Sequence, residues 1–349
     1  MEAVVNRLEI GVRFATENHR FVSCSCSLSS SLGMEKINIT FPTGVTMTLI
    51  QEDLKPGGKT LGLGSNRIFE LGEDSWSRLA GNAYIGFQNG AALESTFKHP
   101  RSFYQLDERR IVIADTENDC LRLLDRTSEK TRTFSGVCEQ HGGDDGDMWS
   151  ARYANPVYVA RDIKSLCYLI VLDVNSQYLW SDEDSEYYWD HQTVIRQVDS
   201  GTGYTTTNAT VSRKLLYFTQ DPLNFHLYAT GDFRGIYKLP YNDMDNANMM
   251  PDSIPGSWFS ERKQLIFIDT DTLLVTDKGL NKLLLYDITT GKSDSICDSG
   301  ASNDICAPSG LETCNIPSPV SLYMSEGDLY VTSNAELYVI KCKLENDLG

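Results

Sequence analysis

The strongest constraint on the fold of this chain is a unit that recurs along it: a short apolar strand, a small or acidic turn, and a second strand. The unit occurs at 60–71, 111–125, 168–180, 226–239, 272–287 and 328–340. Steps of 50, 58, 58, 46 and 56 residues separate its turn residues, Ser65, Asp115, Asp173, Gly231, Asp277 and Ser333. Such steps leave room for four strands and their loops. The short β-rich runs between Asn, Asp, Gly and Ser clusters predict an all-β chain.

A second element lies between some of the units and has nearly fixed spacing. One glycine is followed nine or ten residues later by another, and a proline follows nine or ten residues after that. The three copies are Gly81-Gly90-Pro100, Gly136-Gly146-Pro156 and Gly300-Gly310-Pro319. Glycine suits a tight turn that leaves a strand, and proline suits an extended entry into the next strand. Each copy is therefore predicted to connect one sheet to the following one.

The repeat predicts a six-bladed β-propeller formed as a single domain by residues 1–349. A small sheet cannot bury both faces alone, and packing similar sheets around an axis solves this problem. A β-sandwich with a second small domain would not explain a repeat that spans the chain. The last unit ends near Lys343, shortly after its second strand, so residues 1–50 are expected to supply its outer strands. The candidate closing runs are Leu8–Phe14, Phe21–Ser27 and Ile37–Ile50.

Residues 60–160 resemble the NHL repeat. The stretch from Ile113 to Asp125 contains Ala-Asp-Thr, an Asn-Asp pair and a strand that begins near Arg122, and a Gly-containing loop and an Asn155-Pro156 connector follow. Asp119 stands where a histidine is common in the repeat. The resemblance implies a propeller, in a family with protein-binding and RNA-binding modules and with lyase or lactonase relatives. The Cys-Leu-Arg and Ser-Gly-x-Cys segments are similar to those of extracellular NHL-repeat proteins of invertebrates.

The charge balance excludes some partners. The chain has 31 Lys and Arg against 48 Asp and Glu, a formal net charge of −17. Nucleic-acid binding relies on cations that neutralise phosphates, and anionic membranes repel acidic surfaces, so neither partner is expected. No run approaches the roughly 18 apolar residues of a membrane helix, so no membrane insertion is predicted. The segment Met1–Phe14 carries Glu2, Arg7, Glu9 and Arg13 and so lacks the apolar run expected of a signal peptide. The chain is thus either cytosolic or part of a longer secreted protein.

The nine cysteines favour the secreted alternative. Cys120 and Cys138 flank a predicted hairpin that turns at 127–130, and their midpoint lies inside that turn. Their sulfurs are expected within bridging range, and two free buried thiols are the alternative. A second bridge between Cys306 and Cys314 would staple one connector. Such bonds persist in an oxidising compartment. Further expectations are a bond from Cys24 or Cys26 to Cys342, and packing of Cys167 and Cys297 as buried apolar residues.

An acidic, aromatic loop at 181–190 is the main candidate binding site. Tyr187, Tyr188 and Trp189 are candidate partner contacts. Calcium is the cofactor that carboxylates here would suit, and the weak candidate ligands are Asp182, Asp184 and Glu186. The favoured interpretation of the loop is a solvated hairpin tip without a cofactor, and binding of calcium or a partner is the alternative. The loop at 142–147 also carries aspartates, but turn chemistry explains it. Asn38 and Asn208 begin two Asn-x-Thr glycosylation sequons.

Catalytic signatures are missing from the sequence. There is no nucleophile elbow, phosphate-binding glycine loop or set of histidines with metal-ligand spacing. The favoured hypothesis is a non-enzymatic extracellular recognition or scaffold module that binds a protein or glycan partner. One alternative is a metal-dependent hydrolase or lyase, lactonase-like or similar to an amidating lyase, that uses a central cavity. The other alternative is an intracellular propeller that binds proteins.

Overall fold

A computed structural model describes residues 34–37, 41–58, 60–73, 75–181, 186–231, 235–240, 252–253, 262–297, 316–325, 328–333 and 336–341. Strands are the dominant regular structure of these residues, as the sequence predicted, and 25 of them form six antiparallel sheets. Within them, the one helical element is a single 3-10 turn at Thr116–Asn118. No helix in these ranges is long and apolar enough to cross a membrane.

The first three sheets follow one another along the chain. Strand β1 is Met34–Ile37 and belongs to the last sheet. Sheet I contains β2 Met47–Glu52, β3 Thr60–Gly64, β4 Arg67–Leu71 and β5 Trp76–Ala80. Sheet II contains β6 Gly90–Ala91, β7 Ser102–Gln105, β8 Arg110–Asp115, β9 Cys120–Asp125 and β10 Lys130–Ser135. Sheet III contains β11 Pro156–Arg161, β12 Tyr168–Ser181, β13 Glu186–Asp199 and β14 Thr205–Val211.

The remaining three sheets have four strands each in the described ranges. Sheet IV contains β15 Leu215–Gln220, β16 Leu227–Gly231, β17 Tyr237–Leu239 and β18 Asp252–Ser253. Sheet V contains β19 Arg262–Phe267, β20 Thr272–Asp277, β21 Lys282–Asp287 and β22 Ser293–Cys297. Sheet VI contains β23 Ser321–Ser325, β24 Asp328–Thr332, β25 Leu337–Lys341 and β1.

Sheet VI combines the beginning and the end of the chain. Strand β1 runs antiparallel to β25, with Met34 opposite Ile340 and Ile37 opposite Leu337. The expectation that the whole run 37–50 would close the last unit is wrong, because β2 starts at Met47 and pairs with β3 in sheet I. The other two proposed closing runs, 8–14 and 21–27, lie outside the described residues.

One edge strand of each sheet lies next to an edge strand of a neighbouring sheet, and these edge strands are β2, β7, β11, β15, β19 and β23. The Ile50 amide of β2 donates to Ser321 Oγ of β23 over 2.9 Å. On the other side of β2, Gln51 Nε2 donates to the Phe103 carbonyl of β7 over 2.9 Å. The Val159 amide of β11 in turn donates to Ser102 Oγ of β7 over 2.9 Å. These bonds satisfy polar groups where the sheets meet.

The core lies between the sheets, and every buried cluster spans at least two of them. One cluster joins sheets I to IV, and others join sheets II and III, IV and V, V and VI, and VI and I. In the cluster between the last and first sheets, Leu337 packs with Met47 and Phe69. This distribution follows from the short strands, because a sheet of about five-residue strands has too little area to form its own core.

Candidate functional site

Sheet III carries an extension that stands out from the other sheets. Strands β12 and β13 have 14 residues each and pair from Tyr168–Asp199 to Ser181–Glu186. Strand β11 pairs with β12 only as far as Asp173, and β14 pairs with β13 only from Thr193 onward. Residues 174–181 and 186–192 therefore form a two-stranded projection, here called the ribbon, with no further strand beside it in the described ranges.

The ribbon presents two exposed aromatic side chains that touch each other. Tyr178 and Trp189 are cross-strand partners. Their ring centroids lie 5.1 Å apart, and they are 56% and 59% exposed. The His191 ring is stacked parallel to Trp189 at 6.1 Å, and His191 Nδ1 is hydrogen-bonded to Ser176 Oγ over 2.9 Å. Tyr178, Trp189 and His191 are here called the aromatic patch.

The aromatic patch includes one of the three predicted partner residues, Trp189. Tyr187 and Tyr188 lie in strand β13, but their side chains are outside the described residues, as is that of Glu186. Asp182 and Asp184 fall in the segment 182–185 between the ribbon strands, also outside, so the calcium suggestion stays a prediction. Among the described residues no group of three or more His, Cys, Asp or Glu could hold a metal ion. Tyr178 and His191 were not among the predicted site residues, and it is the pairing of β12 with β13 that brings them beside Trp189.

A buried ion pair lies where the ribbon leaves its sheet. Asp173 accepts hydrogen bonds from the amides of Ala154 and Asn155, over 2.9 and 2.8 Å, and from Arg196 Nη1 over 3.3 Å. Both charged side chains are fully buried. Burial raises the pKa of Asp173 to about 6, although Arg196 and the two amides favour the charged form. Arg196 Nη2 also donates to the Asp144 carbonyl over 2.8 Å and to Asp145 Oδ1 over 3.0 Å.

Sheet II contains the same arrangement at equivalent positions. Asp115 accepts from the Lys98 amide over 2.7 Å and from Arg122 Nη1 over 2.8 Å. Arg122 Nη2 donates to the Gln88 carbonyl and to Asn89 Oδ1, each over 2.8 Å. In both sheets the arginine thus holds the connector that precedes its own sheet. Asp144 and Asp145 of the connector are therefore bonded to Arg196 of strand β13, and this structural role supports turn chemistry for the segment 142–147.

The opposite side of the ribbon base is also fixed. The Val174 amide donates to the Asn155 carbonyl over 2.9 Å. Thr193 Oγ1 donates to the Arg213 carbonyl over 2.7 Å and accepts from the Leu215 amide over 2.9 Å. Val174 and Thr193 are themselves paired and buried. The aromatic patch is therefore carried on a base that has defined hydrogen bonds on both edges.

A disulfide joins Cys120, at the start of β9, to Cys138, which follows β10. Their Cα atoms are 5.0 Å apart, and 18 residues separate them in sequence. Cys167 is an exposed free thiol, so its prediction as a buried apolar residue is wrong. Cys167 lies in the loop just before β12, which begins at Tyr168, and its side chain is therefore not packed within the sheet. Cys306 and Cys314 lie outside the described residues, as does the side chain of Cys297.

Comparison with known proteins shows a fold class. No protein-family model matches the chain, and no curated protein matches its sequence. The structure is similar to a protein provisionally named a gluconolactonase, with 9% identity, 87% of this chain and 94% of that chain covered, and a TM-score of 0.56. It is also similar to the extracellular domain of a provisionally named hybrid two-component system from B. thetaiotaomicron, with 13% identity and a TM-score of 0.51. That match covers 88% of this chain but 42% of the other.

These neighbours are β-propeller proteins. The fold of the chain is therefore of the β-propeller type, which the sequence repeat predicted. At 9% and 13% identity the similarity concerns the fold alone. The NHL family itself stays a prediction.

Proposed function

We propose that the six sheets are the blades of one closed β-propeller in which β1 completes the last blade, and that this propeller is a non-enzymatic extracellular recognition module. Closure is supported by the shared cores, because sheet VI packs on sheet I as sheets II and III pack on each other. It is also supported by the Ile50–Ser321 hydrogen bond, which joins residues 271 positions apart. A propeller closed by its terminal strand has few open edges.

Closure can be tested at Glu35 and Lys36, which lie in the β1–β25 ladder. Because the amides of an edge strand face its partner at alternate residues, the double variant Glu35→Pro/Lys36→Pro removes the ladder donor at one of these two positions, whereas Glu35→Ala/Lys36→Ala leaves both amides in place. The proline variant is expected to unfold at a clearly lower denaturant concentration than the alanine variant. Equal unfolding midpoints for the two variants would count against closure by β1.

The recognition function rests on one observation, the exposed aromatic patch on the ribbon. Tyr and Trp provide a large contact area with few rotatable bonds and dominate many binding sites. The hydrogen-bonded base holds these rings in position before binding, which lowers the entropy lost on association. The partner proposed for this surface is a protein or a glycan. An extracellular setting is supported by the Cys120–Cys138 disulfide, since such bonds persist in oxidising compartments.

The binding surface can be tested by site-specific photo-crosslinking. A photoreactive phenylalanine derivative replaces Trp189 in one variant and Trp149 in the other, since Trp149 is a 73% exposed tryptophan on a connector. Both variants are incubated with extracellular fluid from the source organism, and adducts are identified by mass spectrometry. A defined protein or glycan adduct at position 189 that is absent at 149 is expected, and the purified partner should then bind wild type at least tenfold more tightly than Trp189→Ala. Equal labelling at both positions, or no labelling at either, would overturn the assignment of the ribbon as the binding surface.

The two alternative functions predict different measurements. A lactonase-like or lyase-like enzyme would show turnover that a chelator abolishes, and such turnover would replace the recognition proposal. An intracellular protein would have nearly all nine cysteines as free thiols when purified from its source. The extracellular proposal expects the bond between Cys120 and Cys138 in that native material.

A further inference from the structure

The outer strand of sheet III contains an irregularity at Asn208. Strand β14 lies at the edge of the sheet order β11-β12-β13-β14. Along its pairing with β13, Arg196 is opposite Thr207 while the adjacent Ile195 is opposite Ala209. Asn208 is therefore the extra residue of a β-bulge and has no partner in the ladder.

The free edge of β14 is covered up to the residue before this bulge. The backbone of Thr205 pairs with Gly146 of the preceding connector. At Thr207 the Asp145 carboxylate takes the place of a strand, because it accepts from the backbone amide over 2.9 Å and from Oγ1 over 2.8 Å. Within the described residues no such cover continues past Thr207, so Asn208 is the first residue of the open part of the edge.

The side chains around the bulge alternate in a way that directs Asn208 outward. Ala209 and Val211 are buried against the core, at 1% and 0% exposure. Asn208 and Thr210 are both partly exposed. Since successive residues of a strand point to opposite faces, Asn208 and Thr210 share the side away from the core. Among the described residues the Asn208 amide group makes no hydrogen bond that a modification would have to break.

We propose that Asn208 is an N-glycosylation site, with Thr210 as the hydroxyl residue of its Asn-x-Thr acceptor sequence. The donor is a lipid-linked oligosaccharide of the secretory pathway. Asn208 Nδ2 forms a bond to the anomeric carbon of the sugar and loses one proton, while the bond from that carbon to the lipid pyrophosphate breaks and the pyrophosphate leaves. No oxidant or reductant is needed. The inference is independent of which partner the ribbon binds.

A glycan at this position would have a physical consequence for the sheet. An open strand edge offers unpaired backbone groups to other chains, and natural proteins protect such edges. Asp145 and Gly146 cover the edge of β14 only as far as Thr207. A bulky hydrophilic glycan on Asn208 would cover the part of the edge that follows. Val211, three residues further on, is paired with Thr193 at the ribbon base. At about 3.3 Å per residue, the glycan would stand about 10 Å along the strand from that base.

The test uses the full chain expressed behind a secretion signal in eukaryotic cells. Asn38→Gln removes the other sequon and serves as the background. In this background we expect an intact mass increased by one N-glycan, which peptide-N-glycosidase F removes while converting Asn208 to aspartate. Asn208→Gln and Thr210→Ala should each abolish the increase, and the conservative Thr210→Ser should retain it. Mass is read on both the secreted and the cell-retained protein, so that retention does not hide the modification.

An unmodified mass for the Asn38→Gln protein, with the Cys120–Cys138 bond verified by peptide mapping without reduction, would overturn the proposal. The same holds if Thr210→Ala keeps the mass increase, because the glycan would then be elsewhere. Crosslinking at Trp189 is measured separately, so a failure at Asn208 leaves the recognition proposal standing.

Discussion

Arg196 and Asp173 form a fully buried ion pair, with 3.3 Å between Nη1 and Oδ2, at the point where the ribbon leaves sheet III. The same arginine also donates hydrogen bonds to the Asp144 carbonyl and the Asp145 carboxylate of the preceding connector. One side chain thus links the ribbon base to a segment about fifty residues earlier. Asp173 is the turn residue of the third repeat unit. The ion pair therefore fixes this repeat position at the base of the ribbon that carries the aromatic patch.

Removing one member of this pair should cost much stability. Arg196→Met leaves the Asp173 carboxylate buried without its cation, and such a loss typically costs about 3–5 kcal/mol of unfolding free energy. The difference in unfolding free energy between wild type and Arg196→Met should shrink as the pH falls. Burial favours the neutral form of Asp173, whose pKa in the intact protein is already raised to about 6, so at low pH the carboxyl no longer needs the cation. Urea unfolding at two pH values measures both effects.

A matched control for Arg196 is Arg110, which forms a surface ion pair with Asp107 over 2.8 Å. Its side chain is 43% exposed, and exposed pairs contribute about 0–1 kcal/mol. Arg110→Met should therefore leave the unfolding midpoint nearly unchanged. Similar losses for both arginine variants would contradict the role given to burial.

The disulfide should stabilise the sheet II hairpin by restraining the unfolded chain. Cys138→Ser is expected to lower the unfolding free energy by about 2–4 kcal/mol. Cys167→Ser, at an exposed free thiol, should have little effect. Thiol titration of denatured, non-reduced protein should find at most seven thiols, since two of the nine cysteines form this bond. Nine titratable thiols would refute the bond.

Asp53 links sheet I to sheet II, and acid should remove its contribution to the stability of the folded protein. Its carboxylate receives two hydrogen bonds from Arg126, over 2.6 and 3.0 Å, and one from Gln105 over 3.2 Å. Burial alone would raise the pKa of Asp53, but these bonds, the Lys55 amide and the Arg126 charge hold it below its ordinary value of 3.8. A lowered pKa in the folded state stabilises the protein above 3.8, and this stabilisation is lost as the pH falls through the folded-state value.

This linkage can be measured by comparing wild type with Asp53→Asn from neutral pH to pH 2. The thermal midpoint of wild type should be higher at neutral pH, and the difference should narrow once the pH falls below 3.8. The asparagine variant is the reference because it keeps an acceptor oxygen but does not titrate. Two curves that stay parallel to pH 2 would show that Asp53 does not carry this dependence.

Gly81 should not tolerate a side chain, since it begins a connector with φ of +82°. An added Cβ would lie 2.4 Å from the Asn66 carbonyl oxygen. Strain of this kind costs about 1–3 kcal/mol, so Gly81→Ala should lower the unfolding free energy by that amount or more. Gly143→Ala is the control, because its Cβ would meet nothing within 4 Å. Equal stability of the two variants would contradict the turn requirement.

Local patterns made several features predictable. The repeat and its turn residues predicted all-β structure with small antiparallel sheets, because strand alternation and turn chemistry act over a few residues. The approach of Cys120 to Cys138 followed from one hairpin. The connector glycines at 81 and 136 have the positive φ values that a tight turn requires. Each of these depends on neighbours within about twenty residues.

Other features depended on contacts between distant segments. No sequence pattern indicated that Arg122 and Arg196 are fully buried, since an arginine on a strand is usually exposed. Their burial requires acceptors 34 and 52 residues away, such as the carbonyls of Gln88 and Asp144. The pairing of Tyr178 with Trp189 likewise needed the register of two unusually long strands, and the cover of β14 needed the preceding connector.

The amino-acid sequence by itself therefore determined the strands, the turns and their repetition, because these follow from short-range sterics and side-chain alternation. Only the tertiary structure decided which charges are buried, which strand edge is left open and which rings reach solvent. Those properties depend on how separate sheets and connectors pack, and packing sets the desolvation of each group and the partners that compensate for it.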